Sequence, residues 1–330
     1  MTMRIQELGG PDFERLTRGY DEDTGFDAII AIHDTKEGPA LGGCRINDYY
    51  TLTEHMADAM RLSRTMTSKN KAAGLPRGGG KMVVNTKGPL SVEQAASLGV
   101  FVDFINKDGH IYTTGGDMNC GERELSMISQ HTRHCYYNPY GLSNSGETTA
   151  YGVYTAISHL VGRGNAVNIE GVGKVGSSLA RMLKDDGYRV RITDIQKDLA
   201  RELAFEEGYQ YCEPDEIRFM DGVYAPCATG RTVDLNFALN SKAKWVIGGA
   251  NNQLHTDEVL DDLKFSEIMY VPDYIANMGG VIHIYFDMVK GYTAPTGIED
   301  PGVINQIKER ILGCPTINKL KEDYDATINV

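Results

Sequence analysis

The 330-residue sequence is sparing in several things at once: one tryptophan, six cysteines with no CxxC among them, and no apolar run near the roughly 18 residues that span a bilayer. Basic side chains are also in the minority, 33 Lys and Arg against 45 Asp and Glu, for a formal net charge of −12. Such a chain repels phosphate backbones and anionic lipid surfaces, so neither a nucleic-acid partner nor a membrane partner is expected. The cysteines (Cys44, Cys120, Cys135, Cys212, Cys227, Cys314) are scattered, which fits reduced thiols in a chain long enough to build its own core without disulfides. The start, MTMRIQELGGPDFER, has no basic segment followed by an apolar stretch, and the expected location is the cytoplasm. His131, His134 and Cys135 lie close together but lack a second ligand pair at zinc-like spacing; they read as a polar surface turn, and no metal is expected.

What is present, 41% hydrophobic and 24% charged residues, is the composition of a globular enzyme-sized protein of two domains. The fold class is α/β: an N-terminal α/β domain over 1–145, joined by C-terminal residues 280–330, and a Rossmann-type domain over 146–279. In the first part FDAIIAIHD (Phe26–Asp34), KMVVN (Lys81–Asn85) and HIYTT read as strands. Two helices are expected from their caps: Thr51 with Glu54 opens one carrying Met56, Ala59, Met60, Ser63 and Met66 at helical spacing, and Ser91 with Gln94 opens the next. The turn formers of Asn138–Thr148 mark a hinge. Beyond it AVNIE, RVRITD, GVYAP, KWVIGGA and IMYVP alternate with helical segments, the pattern of a parallel sheet covered on both faces.

After AVNIE comes a complete GxGxxG: Gly171, Val172, Gly173, Lys174, Val175, Gly176. The first glycine makes the tight turn, the second lets amides approach a pyrophosphate, and the third lets the helix lie close to the sheet, with the phosphates at the helix N-terminus. The next strand ends in Asp194, at the separation of about 20 residues where a carboxylate accepts hydrogen bonds from the adenosine ribose and repels a 2′-phosphate. The expected cofactor is therefore NAD, although Arg191 and Lys197 stand nearby and could serve a phosphate. Further strand ends carry Cys227 and Ala228, the paired Asn251 and Asn252, and Pro272-Asp273-Tyr274.

In the first domain Lys69 and Lys81 flank the glycine-rich loop Gly74–Gly80, and Asp117 follows HIYTT. Glycines permit close backbone approach to a ligand, and a lysine leaving such a loop can be desolvated toward the range of a general base.

Together LGGCR (Leu41–Arg45), DAMRLSRTMTSKNKAAGLPRGGGK (Asp58–Lys81), the Asp117 segment, TTAYGV (Thr148–Val153), GVGKVG, YAPCA, GGANNQL and PDYIANMGGVI resemble the glutamate/leucine/phenylalanine/valine dehydrogenase family, in order over most of the chain. The resemblance implies oxidative deamination of an L-amino acid to a 2-oxo acid and ammonium, and the reverse, in a cleft between domains that closes against water. It assigns Lys69 to the substrate carboxylate, Lys81 to activation of water, Asp117 to proton transfer at the amino nitrogen and Asn277 to orienting the substrate. Thr149 and Asn251 would hold the nicotinamide carboxamide and ribose. Asp117 would need to exchange protons near neutrality, with mutually perturbed titrations among the three charged groups.

The same resemblance lines the side-chain pocket with Leu41, Gly42, Gly43, Met66, Gly115, Val281 and Ile284. Leu41 stands where glutamate enzymes carry a lysine, so an apolar amino acid of the leucine, valine or phenylalanine type is expected. Gly115 leaves room for a ring. The stretch after Gly291 looks short beside the family's C-terminal tail, and His283 replaces a more usual asparagine. A homo-oligomer, dimer or higher, is expected. Two other readings are a pathway-specific reductive aminase or dehydrogenase for an unusual, tryptophan-like amino acid, and a catalytically silent NAD-binding sensor.

Overall fold

The computed structural model describes residues 3–138, 145–291 and 297–328. The chain divides into two compact units, Met1–Leu142 and Ser143–Val330. Of the expected hinge, 139–144 lie outside the described residues.

The first unit is built on strands β1 (Arg4–Glu7), β2 (Arg15–Asp21), β3 (Phe26–Asp34), β4 (Ala40–Asn47), β5 (Gly78–Asn85) and β6 (Tyr112–Gly116), in the order β1-β2-β3-β5-β4-β6. Pairing from β1 through β3 to β5 is antiparallel, whereas β4 runs parallel to both β5 and β6. Side chains alternate across a strand, and β3 shows the consequence. Ala28, Ile30 and Ile32 join Phe101, Leu98 and Val102 of helix α2 (Val92–Ile105), while Ile29 and Ala31 join Ala59 and Leu62 of α1 (Leu52–Ala72). Thr51 caps α1 by accepting from the Glu54 amide, and Ser91 and Gln94 form the full reciprocal box on α2. A short α3 (Glu122–Ser129) completes the unit.

The segment expected as a polar surface turn differs. His134 and Cys135 are buried, and residues 134 and 136 exchange backbone hydrogen bonds with Thr114, closing the open edge of β6. An unsatisfied strand edge needs such a cover, and that requirement outweighs the polarity of the segment.

The second unit opens with α4 (Ser145–Leu160) and alternates: β7 (Ala166–Glu170), α5 (Lys174–Asp185), β8 (Arg189–Thr193), α6 (Lys197–Glu207), β9 (Gln210–Tyr211), α7 (Pro214–Ile217), β10 (Gly222–Pro226), α8 (Leu235–Asn240), β11 (Ala243–Val246), α9 (Val259–Phe265) and β12 (Met269–Tyr270). All pairings are parallel and the order is β12-β11-β10-β7-β8-β9, so the sequence reverses direction at β7 and β10. That reversal is the switch point at which open parallel sheets bind ligands. Four helices follow: α10 (Asp273–Ala276), α11 (Gly279–Lys290), α12 (Pro301–Leu312) and α13 (Pro315–Ile328). Residues 280–330 were expected to join the first unit. They lie in the second, where Val303, Ile307 and Ile311 of α12 are buried and the Ile311 Cδ1 lies against Gly152 of α4.

Candidate active site

Glycines set the geometry of the first unit's site. A Cβ on Gly79 would fall 2.2 Å from the Thr67 nitrogen, so α1 lies directly on β5. Asn70 holds it there, its Nδ2 donating to the carbonyls of Leu41 (3.2 Å) and Gly78 (2.6 Å). Lys81 is two residues beyond Gly79 and shares its face, the one that α1 covers. Lys69, on α1, is 9% exposed and Lys81 4%. On β4, a Cβ at Gly43 would stand 3.0 Å from that of Asp117. Its absence lets the Asp117 carboxylate come alongside β4.

There Lys81 Nζ lies 3.1 Å from Asp117 Oδ2, and Arg45 Nε donates to the same oxygen at 2.9 Å. Burial would raise the Asp117 carboxyl, but Lys81 and Arg45, by charge and by hydrogen bond, hold it down at about 2. The expectation of a carboxyl titrating near neutrality is thus corrected: two cations on one oxygen keep it ionised. Since its folded value lies below the unfolded one, this stabilisation is present above about pH 4 and is lost as pH falls toward the folded value.

Arg45 and its neighbours are the part that sequence reasoning missed. Arg45 Nη1 also donates to Asp58 Oδ2 at 3.3 Å, where Tyr49 OH donates at 2.6 Å, and Arg61 bonds the other oxygen of Asp58. Both Arg45 and Asp58 sit in the segments LGGCR and DAMRLSRTM that carry the family resemblance, but only the fold pairs them.

The pocket residues of this unit are apolar. Leu41 is 2% exposed, Met66 lies over Gly42, and a Cβ at Gly115 would meet nothing nearer than Tyr136 at 3.7 Å. Val281 and Ile284 belong to α11 in the second unit, the first buried and the second half-buried.

The glycine-rich turn of the second unit behaves as its spacing implies. Gly171 has φ 99° and would collide with Ala228 if it bore a Cβ, while Gly176 would strike the Gly171 carbonyl at 1.8 Å. Gly173, the cap of α5, has nothing within 4 Å of its missing side chain, and Lys174 beside it is exposed. That open cradle fits a pyrophosphate. Val175 packs at Gly249, and the Cys227 amide donates to the Glu170 carbonyl at 2.7 Å. Asp194 Oδ2 accepts from the Val172 amide at 2.8 Å and Oδ1 from the Gln196 amide at 2.9 Å, so the acid is fixed to the turn. Arg191 is paired with Asp221 (2.8 Å) and Lys197 with Glu213 (2.8 Å).

Asn277 is 3% exposed; its Nδ2 donates to Gly249 O at 3.2 Å and to Asn251 Oδ1 at 2.9 Å. Its own Oδ1 is buried with no hydrogen-bond partner among the described residues, an acceptor suited to a ligand's N–H. Thr149 Oγ1 donates to Ser145 O at 2.7 Å on α4, which α11 approaches so closely that a Cβ on Gly280 would stand 2.6 Å from that hydroxyl. His283 is fully buried, its Nδ1 3.2 Å from Thr148 Oγ1 and its Nε2 3.2 Å from Asp287. Among the described residues no three His, Cys, Asp or Glu gather as metal ligands, and no helix is long and apolar enough to cross a membrane.

The second and third glycines of the turn allow a sharp contrast. Gly173→Ala is expected to cost less than about 1 kcal/mol of stability while weakening NADH at least about tenfold. Gly176→Ala should lose roughly 3 kcal/mol or more. Thermal unfolding and NADH fluorescence titration separate the two; equal effects on both measurements would sink the assignment of Gly173 to the phosphates.

Residues 15–134 match the family described as "Glu/Leu/Phe/Val dehydrogenase, dimerisation domain", and residues 191–310 match "Glutamate/Leucine/Phenylalanine/Valine dehydrogenase". A leucine dehydrogenase of Bacillus subtilis is 35% identical over 91% of this chain and 85% of its own length. A valine dehydrogenase of Streptomyces virginiae is 35% identical over 88% and 84%. Among solved structures, an L-tryptophan dehydrogenase from Nostoc punctiforme superposes with a TM-score of 0.74 at 29% identity, covering 94% of this chain and 95% of that one.

Proposed function

The chain belongs to the Glu/Leu/Phe/Val dehydrogenase family and is an amino-acid dehydrogenase, and on that premise we propose that it carries out the NAD-dependent oxidative deamination of an apolar L-amino acid to a 2-oxo acid and ammonium, and the reverse reductive amination. The observation that carries the reading is the ion pair of buried Lys81 with half-buried Asp117 at 3.1 Å, with Lys69 buried on the helix that covers Lys81.

Lys69 binds the substrate carboxylate; the role of orienting the substrate that the resemblance gives Asn277 is supported by its unpartnered Oδ1, an acceptor for a ligand's N–H. Asp117, ionised, takes a proton from the amino nitrogen. The dinucleotide, when bound, supplies the hydride acceptor. Lys81, in its neutral form, then accepts a proton from the water that attacks the imine carbon, Asp117 returns its proton to the nitrogen as ammonia leaves, and the remaining carbinol proton converts the ammonia to ammonium, so that the proton left on Lys81 is the one released to solvent. Gly171, Gly173, Lys174, Val175 and Gly176 hold the phosphates, Asp194 the adenosine ribose, and Thr149, Cys227, Ala228 and Asn251 the nicotinamide side. NAD is favoured over NADP because Asp194, held at the turn by the Val172 amide, would repel a 2′-phosphate, and the two nearby cations are engaged by Asp221 and Glu213. The match of residues 15–134 to a dimerisation domain supports a homo-oligomer.

The substrate side chain is apolar because Leu41 and Met66 offer no charge, and burying an unpaired carboxylate beside them would cost several kcal/mol. The space beside Gly115 favours a ring over a short branch. The test is NADH oxidation with ammonium across 2-oxoisocaproate, 2-oxoisovalerate, phenylpyruvate, indolepyruvate and 2-oxoglutarate. We expect kcat/KM for the best apolar acid to exceed that for 2-oxoglutarate by at least about 10²-fold. A preference for 2-oxoglutarate would overturn the pocket, and NADH binding without turnover on any acid would restore the silent sensor.

A further inference from the structure

Asp117 has two oxygens, and the structure treats them unequally. Lys81 and Arg45 both bind Oδ2, whereas Oδ1 receives no hydrogen bond or ion pair among the described residues. A carboxylate held by one cation alone can rotate and exchange its oxygens. Held by two from adjacent strands, β5 and β4, it is fixed in one setting. Arg45 is itself held: its side chain is 14% exposed, and Asp58, 16% exposed, anchors its other end. Asp58 is in turn bonded by Tyr49 and Arg61, which, with Arg45, hold its carboxyl below the ordinary range although burial alone would raise it. The guanidinium thus has carboxylates at both ends, and its planar fork cannot be imitated by an ammonium in both contacts at once.

We infer that Arg45 is a positioning residue of the reaction: anchored by Asp58, it pins Oδ2 of Asp117 beside Lys81 and thereby reserves Oδ1 for proton exchange with the amino nitrogen of the substrate. The inference rests on the reading of Asp117 as the proton carrier. It gives the second glycine of the LGGCR segment and its arginine one joint purpose: Gly43 makes the space for the Gly116 carbonyl and the Asp117 Cβ, and Arg45, two residues on along the same face of β4, reaches back to the Asp117 carboxylate. It also accounts for a carboxyl held at about 2, since burial is offset by two positive groups rather than one.

The charged and titratable groups bonded in this network among the described residues are Lys81 from β5 and Arg45 from β4 against Asp117, and, beyond Arg45, Asp58 from α1 with the Tyr49 hydroxyl and Arg61. On the other side of the sheet the Cys44 thiol, hydrogen-bonded to that of Cys120 and buried, is pushed well up and stays neutral. Removing Arg45 therefore leaves Lys81 as the sole cation on Asp117, and the carboxyl rises.

The test uses the full-length enzyme with the amino acid whose 2-oxo acid is best in the panel above. Arg45→Met, Arg45→Lys, Asp58→Asn and Asp117→Asn are compared by kcat, KM, the pH profile of kcat, NADH titration and thermal unfolding. For Arg45→Met we expect kcat to fall about 10²-fold with KM moved less than about threefold and NADH binding unchanged. An acidic limb should rise to higher pH, because Asp117 now protonates more easily. Arg45→Lys recovers part of kcat, and Asp58→Asn moves the limb in the same direction by less. Should Arg45→Met fail to fold, the limbs of the other two decide. The inference is overturned if kcat stays within about threefold of wild type with its limb unmoved, or if the loss follows the unfolding midpoint while the pH profile is unchanged. Full turnover in Asp117→Asn would instead remove the functional reading itself, whereas an inactive Asp117→Asn beside an active Arg45→Met would remove only the role of Arg45.

Discussion

Lys81→Met is expected to lower kcat by at least about 10³-fold while NADH binds as before. Methionine fills nearly the volume of the lysine stem, and Lys81 lies 4% exposed on a strand whose neighbours need that volume, so the fold should survive. What is lost is the Nζ that stands 3.1 Å from Asp117 Oδ2. On the proposed mechanism no base is then placed to take the proton of the attacking water, and Asp117 loses one of the two cations that keep it ionised. The residues proposed to hold the dinucleotide belong to the second unit, so its binding should be indifferent to the change. Steady-state turnover in both directions, read beside an NADH titration, measures the two quantities separately. More than about a tenth of wild-type kcat would show that Lys81 carries no essential proton, contrary to general-base expectations.

Gly42→Ala is expected to be the most damaging substitution to stability, at more than about 4 kcal/mol or outright failure to fold. An added Cβ would lie 1.7 Å from the Gly80 carbonyl oxygen, well inside any real contact, and that oxygen belongs to the neighbouring strand, not to a side chain that can turn away. Strands β4 and β5 would have to separate, carrying Leu41, Arg45 and Lys81 with them. Gly115→Ala is the control. Its nearest neighbour would be at 3.7 Å, ordinary contact, and the cost should stay below about 1 kcal/mol. Urea unfolding of the two variants compares them directly; equal midpoints would mean that the sheet relaxes in a way its packing does not suggest.

The second unit was the more legible of the two because its signals are local. Most of its strands are short runs rich in Val, Ile and aromatic residues, and the three glycines of the turn fall within six residues, with Gly176 set directly against the Gly171 carbonyl. The first unit was harder. Its β1 and β2, RIQE and RLTRGYD, are polar on one face and carry no strong strand signature, and β4 contains two adjacent glycines that propensity places in a turn. Those glycines are strand residues because the parallel neighbours come too close for side chains, a condition visible only once the sheet is assembled. Lys69, Lys81 and Asp117 could be picked out from the sequence. Arg45 could not, since its partners lie 13 and 72 positions away and no spacing rule connects them. The C-terminal helices were misplaced for a similar reason: an apolar stripe such as Val303, Ile307, Ile311 says that a face is buried but not against what.

The attachment of Asp194 to the turn it follows has a consequence for anyone who would redesign this enzyme. Its two oxygens accept from the amides of Val172 and Gln196, so the side chain proposed to choose the cofactor also braces the loop proposed to receive it. Exchanging it for a small neutral residue to admit a 2′-phosphate would leave two amide donors without their acceptor and loosen the phosphate cradle at the moment a bulkier guest arrives. On the proposed role of Asp194, cofactor preference and loop rigidity are one trait, and a successful switch must bring in a new acceptor for Val172 together with the new cation.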